Sequence, residues 1–235
     1  IDWWGDACVL VPWAMYEAEG DLSILREMYP TMQRYLKACR FWAGFGFGKN
    51  RYIWHTPATL HFGDWVAPDV PQKRSRYTAT ASLYSTSSRL AQIAKLLGKE
   101  EDAKEYADLA AKVADAYCAV LTDGNGRTKE EFQTAYVLPL KLGMFPQNVR
   151  AAATDNLVEL VEKSNYCIGT GFPGTPHILF VLADNGYADV AYKMLLNTRC
   201  PSWLYEVRVG ATTIWERWVW TRTVSAPSAM TAPTT

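Results

Sequence analysis

The sequence predicts an all-α fold built from repeated αα-hairpins. Apolar residues recur at intervals of three and four over long stretches. Within each helix pair the connection is short and marked by glycine, while successive pairs are joined by longer loops rich in Trp, Gly, Thr and acidic residues. Stacked around a ring, such pairs gather the longer loops on one face, where a site would form. An open α-solenoid with a binding surface accounts for the helices equally well.

The first helix is expected over residues 7–19, with Asp6 as its N-cap and Gly20-Asp21 closing it and capping the next. The second covers about 22–42. Leu22, Leu25, Met28, Met32, Tyr35, Leu36 and Cys39 form its apolar stripe, and Pro30 should bend or interrupt it. From about 44 to 75 the periodicity lapses, and Gly, Pro, Trp, His and Asp collect in Tyr52-Ile53-Trp54-His55-Thr56-Pro57 and Gly63-Asp64-Trp65-Val66-Ala67-Pro68-Asp69. A loop of that length inside a domain points to function. Helices resume over about 77–97 and, after Gly98, about 100–121, the latter with Ala103, Tyr106, Ala107, Ala110, Val113, Ala114 and Tyr117 on one face. Asp123-Gly124-Asn125-Gly126 reads as a turn. A further pair, about 134–142 and 148–163, is joined through Gly143-Met144-Phe145-Pro146. The Gly/Pro-rich loop 169–176 then leads to helices at about 177–185 and 187–198, separated by Gly186.

The 235 residues carry 24 Lys and Arg against 24 Asp and Glu, without a basic stripe, so nothing directs the chain to nucleic acid or an anionic membrane. A neutral partner fits better. Five scattered cysteines (Cys8, Cys39, Cys118, Cys167, Cys200) lack a C-x-x-C pair and read as buried thiols rather than zinc ligands or a disulfide framework. No apolar run approaches the roughly 18 residues of a membrane span. Because the sequence opens abruptly at Ile1-Asp2-Trp3-Trp4, it does not choose between cytoplasm, periplasm and secretion. Residues 169–176 lack the G-K-[ST] ending of a phosphate loop, and His55, His61 and His177 have no metal-ligand spacing. No cofactor or metal is expected.

Tryptophan is the outlier, with ten in the chain. Trp3, Trp4, Trp54, Trp65, Trp203, Trp215, Trp218 and Trp220 fall in loop-like stretches beside Asp, His, Glu or Arg. Flat faces with polar neighbours make sugar-stacking platforms, while plugs where loops cross a helical core are the plainer role. Trp4, Trp65, Trp215 and His55 are candidate substrate contacts. In Gly210-Ala211-Thr212-Thr213-Ile214-Trp215-Glu216-Arg217-Trp218 a carboxylate stands between two tryptophans and beside an arginine. Desolvation by the rings would raise its pKa while the guanidinium opposes, a balance suited to a general base. The alternative is a solvated Glu216-Arg217 pair with packing tryptophans.

Taken in order, Asp2-Trp3-Trp4-Gly5-Asp6-Ala7, Gly63-Asp64-Trp65, Thr170-Gly171-Phe172-Pro173-Gly174-Thr175-Pro176, Pro201-Ser202-Trp203 and Gly210–Trp218 resemble the catalytic domain of bacterial α-L-rhamnosidases, glycoside hydrolase family 78. The resemblance spans nearly the whole chain to Trp218 and is most specific around Glu216. It implies an (α/α)6 toroid of six αα-hairpins, of which about eight of twelve helices are counted here, and a rhamnose-containing glycan or glycoside as partner. It also implies inverting hydrolysis, in which an acid protonates the glycosidic oxygen and a carboxylate activates water on the opposite face. Glu216 matches the base, and Asp6 matches the acidic residue of a Trp-x-Gly-Asp segment that holds sugar hydroxyls and supports the reaction, so both are candidate catalytic residues. Trp3 matches that segment's stacking ring, but Asp2 stands where many relatives have Gly, which leaves Trp4 as the other choice. Asp64 and Trp65 resemble the sugar-contacting loop; a structural turn is their other role.

The family's general-acid glutamate would fall just before Ile1, so a domain of residues 1–218 truncated at both ends, with little or no turnover, is expected. Residues 219–235 depart from the family and read as a disordered low-complexity tail or a shifted reading frame. Back-translation read two bases later can give GLDEDGVCPIGDDGTD, close to the family's continuation. Two rivals remain: a non-catalytic carbohydrate-binding helical protein, and another six-hairpin glycosidase such as one acting on glucuronides.

Overall fold

In the computed structural model, residues 3–44, 46–54, 61–68 and 75–218 are described, and nine α-helices run through them. Eight form four hairpins. The first pairs α1 (Ala7–Glu19) with α2 (Ser23–Ala43). Gly20 adopts φ 73°, a left-handed cap open to glycine at little cost, and its N–H reaches the Tyr16 carbonyl. Asp21 then accepts from the N–H (2.7 Å) and hydroxyl (2.5 Å) of Ser23 and so opens α2. These two hydrogen bonds lower the Asp21 pKa. Of the two expectations for Pro30, interruption does not occur: α2 runs unbroken through it. The predicted stripe is the buried face, with Leu25, Met32, Leu36 and Cys39 joined by Tyr29 and Ala43.

The second hairpin joins α3 (Ser75–Leu96) to α4 (Glu100–Ala116), which continues as a π-helical turn, Tyr117–Leu121. The acidic first turn of α4, Glu100, Glu101 and Asp102, complements the helix dipole. Asp102 also accepts from Tyr29 (2.7 Å) and Gln33 (3.1 Å), tying α4 to α2. Ala107 is exposed, whereas Leu109 and Ala116 complete the buried face that sequence periodicity placed slightly off. The third hairpin is α5 (Gln133–Leu142) with α6 (Gln147–Lys163), and the fourth is α7 (Ile178–Asp184) with α8 (Ala188–Leu195). A ninth helix, α9 (Trp203–Arg208), was not expected. Its six residues are too few for periodicity to register, but Ser202 caps it by accepting from the Tyr205 N–H at 3.1 Å.

Three apolar clusters form the interior. One lies among α1 to α4, one joins α3 and the π turn to α5, and one fills the space among α5 to α8. Helix α3 packs against α1, α2, α4 and α5 and is buried almost all round near its start. There the buried set alternates small and hydroxyl residues (Thr78, Ala79, Thr80, Ala81, Ser82), so backbones approach closely while hydroxyls stay available as attachment points.

Among the described residues, extended pairing is confined to one bridge, Thr122 with Thr128. The cysteines differ from the expectation of buried thiols. Cys39 is buried, Cys8, Cys118 and Cys167 are half-buried, and Cys200, on a loop rather than a helix face, is exposed. All five are free. The predicted tail, 219–235, lies outside the described residues.

Candidate active site

Asp6 sits at the turn into α1, yet its side chain makes no capping bond, because residue 6 itself is in helical geometry. Its carboxylate is instead buried, accepting from Tyr35 (2.7 Å, from α2), from Ser82 (2.6 Å, from α3) and from the Trp3 N–H (3.2 Å). The expected N-cap is therefore replaced by a tie across three elements. Burial, then the Asp6 charge, pushes Cys39 up to about 12 and raises Tyr35 further still, so both stay protonated and serve as donors or apolar packing.

Trp3 adopts φ 60°, unusual for a non-glycine residue, and donates its indole N–H to the Thr78 carbonyl at 3.0 Å. Asp6 holds its backbone and α3 holds its ring, so Trp3 is fixed at both ends. Trp4 is exposed and meets Phe62 edge-on with centroids 4.7 Å apart; Phe62 in turn lies 5.1 Å from Trp65. The two predicted tryptophans thus join one aromatic strip through Phe62, which sequence reasoning missed. Its signal was present in the text Phe62-Gly63-Asp64-Trp65, one residue before the motif.

Asp64 is fully buried and accepts from the Gly171 N–H at 3.0 Å, while the Trp65 carbonyl accepts from Phe172 at 2.9 Å. The 61–65 loop is thereby seated on the Gly169–Pro176 loop. A Cβ on Gly171 would lie under 3.0 Å from the carbonyl oxygens of both Asp64 and Trp65, so glycine is needed there for close approach. The second loop is held in turn: Gln133 of α5 accepts from the Gly169 N–H at 2.7 Å, and Thr175 donates to the Gly171 carbonyl at 2.9 Å. The amides of Gly169, Gly171, Phe172, Gly174 and Thr175 are spent on protein partners rather than aimed at an anion. Where burial closes Asp64 off, Trp65, half-buried, is the member of the pair that reaches solvent. His55 lies outside the described residues.

The Glu216 segment is anchored from the α9 side. Cys200 donates its thiol to the Trp218 carbonyl at 3.4 Å, Trp203 and Trp218 pack edge-on at 5.9 Å, and Glu206 accepts from the Trp215 N–H at 3.2 Å. Ile168, just before the Gly-rich loop, donates to the Pro201 carbonyl at 3.0 Å. A continuous series of loop contacts therefore runs from the Trp4-Phe62-Trp65 strip through residues 169–172 to the segment bearing Glu216. Glu216 itself is exposed, with Trp215 half-buried and Trp218 buried, so the desolvation expected from its flanking rings is not seen. Flanking in sequence did not become enclosure in space. The buried carboxyl in this region is Glu206, raised by burial against the pull of the Trp215 N–H.

Among the described residues no three His, Cys, Asp or Glu side chains group as metal ligands, and no helix is long and apolar enough to cross a membrane. A cleft of about 540 Å³ between α2 and α4, lined by Arg34, Lys37, Arg40 and Glu105, contains none of the predicted site residues.

Residues 2–232 match the family model for the bacterial alpha-L-rhamnosidase 6 hairpin glycosidase domain. The chain is 39% identical over 222 residues to an alpha-L-rhamnosidase of Streptomyces avermitilis, covering 92% of this chain and 20% of that protein. It is 33% identical over 222 residues to one of Formosa agariphila, covering 92% and 23%. Among solved structures, the Streptomyces avermitilis alpha-L-rhamnosidase complexed with L-rhamnose superposes with a TM-score of 0.80 at 35% identity, covering 91% of this chain and 20% of that one. The Dictyoglumus thermophilum alpha-L-rhamnosidase gives 0.83 at 31% identity, covering 92% and 24%. This chain thus spans about a fifth to a quarter of the length of these relatives. With its helical hairpins and a match over nearly its whole length, the chain belongs to the bacterial α-L-rhamnosidase six-hairpin glycosidase family.

Proposed function

We propose that this chain carries the water-activating half of an α-L-rhamnosidase site, with Glu216 as general base and inversion at the anomeric carbon. The observation that carries this is the anchoring of the Glu216 segment. Its backbone is held by Glu206 and Cys200 while its carboxylate stays exposed, as a group that must meet water and sugar requires. Trp4, Phe62 and Trp65 supply flat apolar surface for a sugar whose C6 is a methyl group, and Trp3, held by Asp6 and α3 and packed against the interior, steadies the corner from which Trp4 projects. With both Asp6 oxygens engaged by Tyr35, Ser82 and Trp3, Asp6 acts by fixing this corner rather than by proton transfer.

In the proposed step Glu216 takes a proton from water as its oxygen attacks the anomeric carbon, and the bond to the leaving oxygen breaks on the opposite face. An activated aryl leaving group departs with little protonation, so aryl glycosides test the base without demanding a strong acid. The chain should hydrolyse aryl α-L-rhamnoside and release β-rhamnose first, as read by proton NMR before mutarotation. Cleavage of aryl glucuronide in preference to rhamnoside would overturn the substrate class, and α-rhamnose as first product would overturn the inverting mechanism. Saturable rhamnose binding without any hydrolysis would instead favour a carbohydrate-binding module.

A further inference from the structure

We propose that Glu206 is the positioning residue that fixes the backbone in front of Glu216, an assignment that rests on Glu216 being the base. Glu206 lies on α9, ten residues before Glu216, and is 3% exposed. It meets the returning chain twice. Its backbone carbonyl accepts from the Ala211 N–H at 2.9 Å, and its side-chain Oε2 accepts from the Trp215 N–H at 3.2 Å. The intervening turn passes through Gly210, at φ 86°, where a glycine lets the chain reverse. Both ends of the excursion from Ala211 to Trp215 are thus held by one residue, and the peptide entering Glu216 is set by the second bond.

Helix α9 is itself held at its start by the Ser202 cap, and Ser202 in turn donates to the Asn197 carbonyl at 2.7 Å. The pin therefore has a fixed base. Among the described residues the second oxygen, Oε1, is buried without a hydrogen-bond partner. Leaving a buried carboxylate oxygen unpaired is costly, and a residue chosen for packing alone would be apolar. What the carboxyl gives in return is an acceptor placed on the amide beside Glu216. Burial raises its pKa, and both its forms retain an oxygen able to accept that N–H.

The test compares Glu206→Gln, which keeps an acceptor oxygen, with Glu206→Met, which keeps the volume and removes it. Amide exchange is followed by NMR in the whole chain. In Glu206→Met the Trp215 amide should exchange about fivefold to tenfold faster, the factor for one lost hydrogen bond, with amides of α5 and α6 unchanged; Glu206→Gln should stay near wild type. On aryl α-L-rhamnoside, Glu206→Met should lower kcat at least about tenfold at nearly constant KM, and Glu206→Gln should restore it. Unchanged Trp215 exchange in Glu206→Met overturns the pin. Faster exchange with kcat unchanged overturns its positioning role. A wild-type chain with no hydrolysis while Trp215 is protected only when residue 206 carries an acceptor would sink the proposed activity and leave the pin standing.

Discussion

At the scale of single residues, two buried carboxylates, Asp6 and Glu206, have given up water for protein donors. Asp6 takes hydrogen bonds from Tyr35, Ser82 and the Trp3 N–H, and two of these donors are hydroxyls that can turn. Asp6→Asn keeps the shape but places an amide N–H₂ among donors. The hydroxyls can rotate to accept, whereas the Trp3 N–H cannot. A loss of about 1–3 kcal/mol in urea-unfolding stability is expected, with weaker quenching of tryptophan fluorescence by rhamnose. Glu206 carries a pH signature of its own. Burial lifts its pKa above the ordinary 4.5, so the folded state holds the proton more tightly than the unfolded chain. That contribution is fully present below about the unfolded value of 4.5 and is lost as pH rises through the higher folded value. Urea unfolding between pH 4 and pH 7 should therefore show wild type losing stability relative to Glu206→Gln as pH rises. A gap that stays constant, or moves the other way, would show that Glu206 is not held in the buried setting seen here. Sequence inspection found Asp6 both as a helix cap and as the acid of the Trp-x-Gly-Asp segment, but not its hydroxyl partners, which lie 29 and 76 residues away. Glu206 had no local signal at all.

At the scale of elements, the helices were legible because burial repeats every three to four residues, and the glycine breaks at 20, 98, 143 and 186 stand at left-handed turns. The boundary of α1 was read to the residue. Short α9 escaped because six residues give no period, and Ala107 was placed on the wrong face because alanine fits either side of a helix. The loops were recognised as loops, but their mutual seating was not readable, since it depends on single close approaches. Gly171 is the clearest such point. Gly171→Ala should push the 61–65 loop off residues 169–172, costing about 1–3 kcal/mol by overpacking and shifting the emission of Trp65 to the red. Replacement at Gly20, which has nothing within 4 Å of its Cβ position, should cost only the strain of its left-handed conformation. Equal stability of the Gly171→Ala variant and wild type, with unchanged emission, would show that the loops are not seated as described.

At the scale of the whole molecule, α3 acts as a post from which part of the proposed site is hung. Its buried hydroxyl face receives Asp6 through Ser82 and Trp54 through Thr80, and its backbone receives Trp3 through Thr78. Further along, α5 holds the Gly-rich loop through Gln133, and α9 holds the Glu216 segment through Glu206. Helices thus supply fixed points, and the loops between them lean on one another from Trp4 to Trp218. The family was legible in the sequence because the loop motifs fall in a fixed order along the chain. The exposure of Glu216 was not, since enclosure by aromatic rings depends on elements distant in sequence. The claim on which the rest turns is that this carboxylate activates water. Its most direct measurement is the rate of aryl α-L-rhamnoside hydrolysis by wild type and by Glu216→Gln, with rhamnose binding followed in both. Slow but saturable hydrolysis by wild type, reduced at least about a hundredfold in Glu216→Gln with binding retained, is the expected result. Equal rates in the two proteins would contradict it.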